Sequence, residues 1–134
     1  MAVMAILPER LLAKWTAKAF QAGKLDDAVR EKYGVLPIED SEAIRLTVPE
    51  IAEDGAFVPV SVSSGIPGTT SISIFSETNF LPLVASFDIL PRMRPDLSLR
   101  IRMAETGKVI VIAQAGGRLY RTSRMVVVSV GGCG

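Results

Sequence analysis

From Ile44 onward the chain alternates apolar and polar residues with a period of two, which is the period of a β-strand and not of a helix. Val58, Val60 and Val62 alternate with Pro59, Ser61 and Ser63, and Ile72 and Ile74 alternate with Ser71 and Ser73. Leu97, Leu99, Ile101 and Met103 alternate in the same way with Ser98, Arg100 and Arg102. Each pattern puts one face on a core and the other in water or against a partner. Val109 to Ala113 is a short continuous apolar run, Gly116-Gly117 reads as a hairpin turn, and a final strand carries Leu119 and then Met125 to Val130. Turn residues punctuate these segments at Gly65-Ile66-Pro67-Gly68, at Asn79 and Pro82, and at Pro91 and Pro95. About seven short strands separated in this way predict a mainly β chain with an immunoglobulin-like β-sandwich. A small barrel is the competing topology, since strand patterns do not fix connectivity.

The first third has a different period. Leu11, Leu12, Trp15, Ala19 and Ala22 recur at three- and four-residue spacing after Pro8, and Gly23 closes the segment. A second, shorter helix is expected from Asp26 to Tyr33, ended by Gly34. Such a helical hairpin must bury its apolar side, and the sheet that follows is its natural cover; Trp15 is read as an anchor between them. The organisation expected is a helical attachment over residues 1–36, a sandwich over 37–130 and a carrier tail over 131–134.

Composition excludes several kinds of chemistry. The 134 residues contain no histidine and one cysteine, Cys133. An internal disulfide, a Cys/His zinc cluster and any imidazole-based triad are therefore ruled out, and no catalytic residue or cofactor is assigned. The formal net charge is +1, which gives no reason to expect nucleic acid as a partner. Residues 1–90 carry 7 basic and 12 acidic side chains and residues 91–134 carry 8 and 2, so −5 and +6 sum to that +1. The basic last third suits an anionic ligand or an acidic partner face, unless its arginines are merely scattered and solvated. No run is long enough to span a membrane. The apolar opening Met1 to Leu7 lacks a basic flank and does not read as an export signal.

Past the last strand the chain runs Gly131-Gly132-Cys133-Gly134. Glycines on both sides of the cysteine predict a mobile, slender tail with nothing nearby to bury the thiol. Fully extended, the five residues from Val130 reach at most roughly 16–18 Å, enough to carry a thiol into a narrow channel. A free thiol titrates at about 8.5, and no basic residue lies closer in sequence than Arg124. The carboxylate expected after Gly134 further disfavours the thiolate. Activation therefore has to come from a partner, which is the logic of a carrier. A protein-interaction module whose tail cysteine is incidental, or links two copies by a disulfide, is the alternative. Arg100 and Arg102 share a strand face and could receive an oxyanion or a partner carboxylate, although exposed arginines are more often solvated or ion-paired. Pro49 to Pro59 reads as an inter-strand turn with solvated acids, and Asn79 as a simple turn residue.

Four stretches resemble the Sox sulfur-carrier family, the SoxY subunit of thiosulfate oxidation. They are Val48-Pro49-Glu50-Ile51-Ala52-Glu53-Asp54-Gly55-Ala56-Phe57-Val58-Pro59-Val60, Pro82 to Phe87, Leu99 to Ala104, and Val128 to Gly134. The resemblance covers roughly residues 44–134. It implies that Cys133 is the site of covalent sulfur attachment, recognised together with Gly131, Gly132 and Gly134, and that the chain is a protein-bound substrate and not an enzyme. It further implies a periplasmic location and a heterodimer with a SoxZ-like sandwich subunit. A c-type cytochrome, a hydrolase and a sulfane dehydrogenase would act on the carried thiosulfonate or persulfide. This sequence departs from the family pattern in having one glycine after the cysteine, where two are usual. It also has Asn79-Phe80-Leu81-Pro82 where an Asn-Pro pair is usual.

Overall fold

A computed structural model describes residues 17–130. Residues 17–21 are helical and lead into helix α1, Leu25–Tyr33. Asp26 and Asp27 in its first turn and Arg30 and Lys32 in its last complement the helix dipole. Gly34 ends it with φ 70°, a left-handed conformation that glycine adopts without penalty, and its N–H donates to the Arg30 carbonyl at 2.7 Å. Trp15, the expected packing anchor, lies outside the described residues.

Among the described residues nine strands follow: β1 Ile38–Asp40, β2 Ile44–Thr47, β3 Ile51–Ala52, β4 Val58–Ser64, β5 Thr69–Ser76, β6 Leu83–Asp88, β7 Asp96–Ile101, β8 Gly107–Ala115 and β9 Arg118–Val128. They form two sheets, a larger one in the order β1-β9-β8-β5-β6 with β3 also on β9, and a smaller one in the order β2-β4-β7. This is the expected sandwich. Its core joins Val58, Val60 and Val62 of β4 to Ile72 and Ile74 of β5 and to Val109 and Val111 of β8, all buried. Gly116 and Gly117, with φ 56° and 75°, turn β8 into β9 in the geometry that suits a two-residue hairpin.

Three features sharpen or depart from the sequence expectation. The outer face of β5 is not in water: Ser71 and Ser73 are buried under α1. Ala19, Ala28 and Tyr33 of the helical layer pack there with Phe75, Ile110, Ile112 and Leu119, forming a second apolar cluster on the far side of the larger sheet. The run Val109 to Ala113 is continuous for the same reason, since β8 is covered on both faces. Secondly, β1 and β3 are short strands that pair with β9 in parallel, at Leu119–Arg121 and at Val127–Val128. Thirdly, the last strand ends at Val128 and not at Val130.

The helical layer is held by a polar contact as well as by burial. The Tyr33 hydroxyl lies 2.6 Å from Ser73 Oγ and 2.9 Å from Ser71 Oγ, and Ser73 Oγ lies 3.0 Å from Ser86 Oγ. Burial pushes the Tyr33 phenol above its usual 10, partly offset by the two serine hydrogen bonds, while the Asp88 carboxylate pushes it up further. The folded state therefore holds this proton more tightly than the unfolded chain, and the corresponding stability is present below pH 10 and lost as pH rises beyond it. Tyr33→Phe leaves two buried serines short of a partner and is expected to cost about 1–3 kcal/mol in urea unfolding at neutral pH. It should also flatten part of the alkaline loss of stability.

Candidate functional site

The expected attachment residue Cys133 and its neighbours Gly131, Gly132 and Gly134 lie outside the described residues. The structure does define where the chain leaves the sandwich to reach them. At the end of β9 the backbone is gripped residue by residue. The Val127 N–H donates to the Glu50 carbonyl and the Ser129 N–H to the Ala52 carbonyl, each at 2.9 Å. The Val130 carbonyl accepts from the Gly55 N–H at 2.8 Å, and the Val128 N–H donates to Thr106 Oγ1 at 2.9 Å. The segment Pro49 to Pro59 is therefore more than a solvated turn. Residues 50–55 form a clasp of backbone groups around the root of the tail.

The clasp is itself tied down. The Met103 N–H donates to the Gly55 carbonyl at 2.7 Å, which joins the 50–55 segment to the loop after β7. Asn79 holds that loop from the other side. Its Nδ2 donates to the Arg102 carbonyl at 2.6 Å, and its Oδ1 accepts from the Ala104 N–H at 2.8 Å and from the Ser76 hydroxyl at 3.0 Å. Thr78 Oγ1 donates to the Glu105 carbonyl at 3.1 Å. Gly107 is pressed against Thr78, where an added Cβ would come within 2.6 Å of its methyl group. Asn79 is thus a cross-link between the turn after β5 and the loop after β7, not a simple turn residue. Three stretches distant in sequence, around Glu50–Phe57, Ser76–Asn79 and Arg102–Thr106, converge on one end of the sandwich.

Of the two candidate arginines, Arg100 is exposed on β7 opposite Pro59, and Arg102 is exposed just past the end of that strand. The other basic residues of the last third are dispersed. Arg92 and Arg94 lie in the loop after β6 and Arg118 and Arg121 at the start of β9, at the opposite end of the sandwich, where Arg121 pairs with Asp40 at 2.9 Å. The three loops around the tail root carry Glu50, Glu53, Asp54, Glu77 and Glu105, all exposed, against Arg102 alone. Lys108 at the start of β8 and Arg124 opposite Val109 adjoin the same end, so the tail root is set among charges of both signs.

Among the described residues no group of three or more acidic or thiol side chains is placed to hold a metal ion, and every buried side-chain polar atom has a partner. A groove of about 290 Å³ lies between α1 and the sheet, lined by Val29, Leu36, Ile110 and Ile112. A larger one, about 580 Å³, lies between the loops around Pro67 and Pro91, at the end away from the tail root. Neither groove approaches the clasp.

Comparison with known proteins bears on this end of the molecule. Residues 29–133 match the family model described as sulfur oxidation protein SoxY, so the match reaches the cysteine itself. The solved structure of the sulfur carrier protein SoxY from Chlorobium limicola f thiosulfatophilum is 60% identical, with a TM-score of 0.74 over 80% of this chain and 97% of that one. A toxic shock syndrome toxin-1 structure aligns at 14% identity and a TM-score of 0.44, covering 63% of this chain and 99% of that one, too distant to inform the fold. None of the curated proteins matches.

The clasp is testable through its outermost cross-link. Asn79→Ala removes three hydrogen bonds and leaves the Ala104 N–H without its partner, so a loss of about 1–3 kcal/mol is expected in denaturant unfolding. Hydrogen exchange should then speed up at the Ala104 and Met103 amides before it does so in β8.

Proposed function

Because the chain belongs to the SoxY family of sulfur-oxidation proteins, we propose that it is a covalent sulfur carrier whose attachment point is Cys133. The observation that carries this reading is the position of the only cysteine in the sequence. It lies within the family match and three residues past the last clasped carbonyl, that of Val130. In any conformation, three residues of chain place Cys133 no more than roughly 10–11 Å from Val130. The sandwich holds the root of the tail and Cys133 carries the sulfur; no acid or base of this chain is assigned a step.

The chemistry follows from what a thiol can do with thiosulfate. Coupling forms a bond between Cys133 Sγ and the outer sulfur of thiosulfate. The thiol proton is released and two electrons pass to a c-type cytochrome, leaving a cysteine-bound thiosulfonate. A hydrolase then adds water across the terminal sulfur–sulfur bond, so that sulfate leaves and a persulfide remains on Cys133. A sulfane dehydrogenase would oxidise that remaining sulfur. Each step needs an oxidant or a base from another protein, in keeping with a carrier that is a substrate and not a catalyst. Gly131, Gly132 and Gly134 add no side chains beside the thiol, so an active-site channel can close on the backbone around it. Arg102 lies at the tail's end of the sandwich and Arg100 two residues back along the chain. Contact of either with the anionic load or with a partner carboxylate belongs to the same reading. A SoxZ-like sandwich subunit as companion and a periplasmic location complete it.

Intact mass after incubation with thiosulfate and the partner oxidising system should show an adduct on the wild-type chain and none on Cys133→Ser. An adduct that persists in the variant sinks the assignment.

A further inference from the structure

The two sheets are laced together on one side and open on the other. Strand β1 lies in the larger sheet, β2 in the smaller and β3 in the larger again, so the chain crosses between the sheets at residues 41–43 and again at 48–50. On the opposite side the sheets end on β6 and β7. Free strand edges invite pairing with another chain, and proteins blunt them with short strands, charges or proline. Strand β1 has three residues, two of them acidic, and β3 has two residues. Strand β2 carries Arg45, and β7 follows Pro95 and carries Asp96 and Arg100. Strand β6 is different. Between Thr78 and Pro91 the only charged residue is Asp88. A register shift beside Val84 bends the half of β6 near the tail root, and Ala85 to Asp88 continue as regular strand. The Ile89 N–H donates to the Thr70 carbonyl at 2.9 Å, so by alternation Phe87 turns its backbone groups to β5 while Ser86 and Asp88 turn theirs outward.

Exposed apolar side chains flank β6 at both ends. Phe80, 78% exposed, and Leu81, 40%, precede the strand, and Leu90, 62%, and Met93, 46%, follow it. An antiparallel partner runs β6 in reverse, so the group at one end meets the group at the other. The complement of this surface is the surface itself, which is the condition for a two-fold contact. We propose that β6 pairs antiparallel with β6 of a second copy of this chain, about an axis at Phe87, so that the larger sheets of two molecules become one. Ser86 then exchanges backbone hydrogen bonds with Asp88 of the second copy, and the two Phe87 side chains meet in a non-hydrogen-bonded pair, where side chains sit closest. Phe80 and Leu81 of each copy come beside Leu90 and Met93 of the other. Charges of both signs stand at either end of β6, Lys24, Glu77 and Lys108 at one and Asp88, Arg92 and Arg94 at the other, so the apolar match and not charge selects the occupant.

Such a dimer keeps its two thiols apart. From β9 of one copy to β9 of the other the joined sheet spans seven inter-strand steps, three on each side and one across the axis, or about 34 Å. The antiparallel arrangement also sets the two tail roots at opposite ends. Each Cys133 lies no more than roughly 10–11 Å from its own Val130, so the two thiols of one dimer cannot join in a disulfide. The pairing does not depend on the carrier reading.

The test is sedimentation of the full-length chain carrying Cys133→Ser, which removes any disulfide and should still show a dimer that dissociates on dilution. Added to that parent, Phe80→Lys and Leu90→Asp each change an exposed position, should melt like the parent, and should each weaken self-association about tenfold or more. Mixed in equal amounts the two variants should recover a dimer, since the substituted positions then face each other with opposite charge. Val35→Ser, 90% exposed but on the β1 side, should change nothing. In the wild-type dimer, nitroxide labels on the two Cys133 thiols should lie roughly 30 Å or more apart. A chain that sediments as a monomer at every concentration overturns the proposal, as does a mixture that fails to pair, an equal effect from Val35→Ser, or a label separation under roughly 20 Å. A self-dimer dissolved by an equimolar companion sandwich subunit also overturns it, by assigning β6 to that subunit. Failure of the carrier reading appears separately, as an adduct on Cys133→Ser.

Discussion

Strand β8 carries apolar side chains on both faces, and the cost of leaving either face wet dictates what else the chain must supply. Val109 and Val111 point into the sandwich, while Ile110 and Ile112 point the other way, and all four are buried. Burying a branched aliphatic side chain is worth about 1.5–3 kcal/mol, so the outer pair alone justifies a covering layer. The smaller sheet covers one face and the helical layer covers the other. Helix α1 is only nine residues long and could not persist in isolation. It exists because Ile110, Ile112 and Leu119 need a lid, and Tyr33 fixes that lid in register through the hydroxyls of Ser71 and Ser73.

The same dependence runs outward from β8 to the functional end. Strand β9 is held from Arg118 to Val126 by β8 and reaches residue 128 as ordered backbone. On its other edge it has β1 beside its start and β3 beside its end, so that even the last paired residues have a neighbour on that side. A strand end bonded on one side only would fray, and the direction in which the following residues depart would then be undefined. The 50–55 clasp removes that freedom up to the Val130 carbonyl. The stretches that resemble the carrier family are, in this light, mostly parts of a socket: Glu50 to Gly55 supplies the backbone partners, and Met103 and Ala104 supply the amides that brace them.

Much of this was legible in the sequence, and the failures have physical causes. The alternation in β4 and β7 is visible because each has one wet face. The continuous run in β8 was visible too, but which surface covers its second face depends on packing between segments 80 residues apart. Ser71 and Ser73 were ambiguous for a related reason. A polar residue on alternate positions usually means water, and here it means a buried tyrosine hydroxyl that needs partners. Strands β1 and β3 left no trace in their own residues. They are three and two residues long, and it is the free edge of β9 that makes them strands. Asn79 looked local because turn chemistry is local, whereas its amide in fact spans to carbonyl and amide groups more than twenty residues away. The expectation for Cys133 and its glycines falls outside the described residues, and the clasp at the tail root gave no signal in the sequence. Phe57 and Phe80 are ordinary apolar residues until the registers bring their loops to one end.

That arrangement resolves an apparent conflict in what a carrier has to do. On the function proposed above, its thiol enters several different active sites, which argues for freedom, and is found by each of them quickly, which argues for a fixed surface. The tail sequence, three glycines around one cysteine, adds no side-chain bulk beside the thiol, which serves the first demand. A rigid root satisfies the second. If the clasp were looser, the searching volume of the thiol would grow while its effective concentration at a docked channel mouth would fall. The root is fixed through a short relay, in which the Gly55 N–H holds the Val130 carbonyl, Met103 holds Gly55, and Asn79 holds the loop that carries Met103.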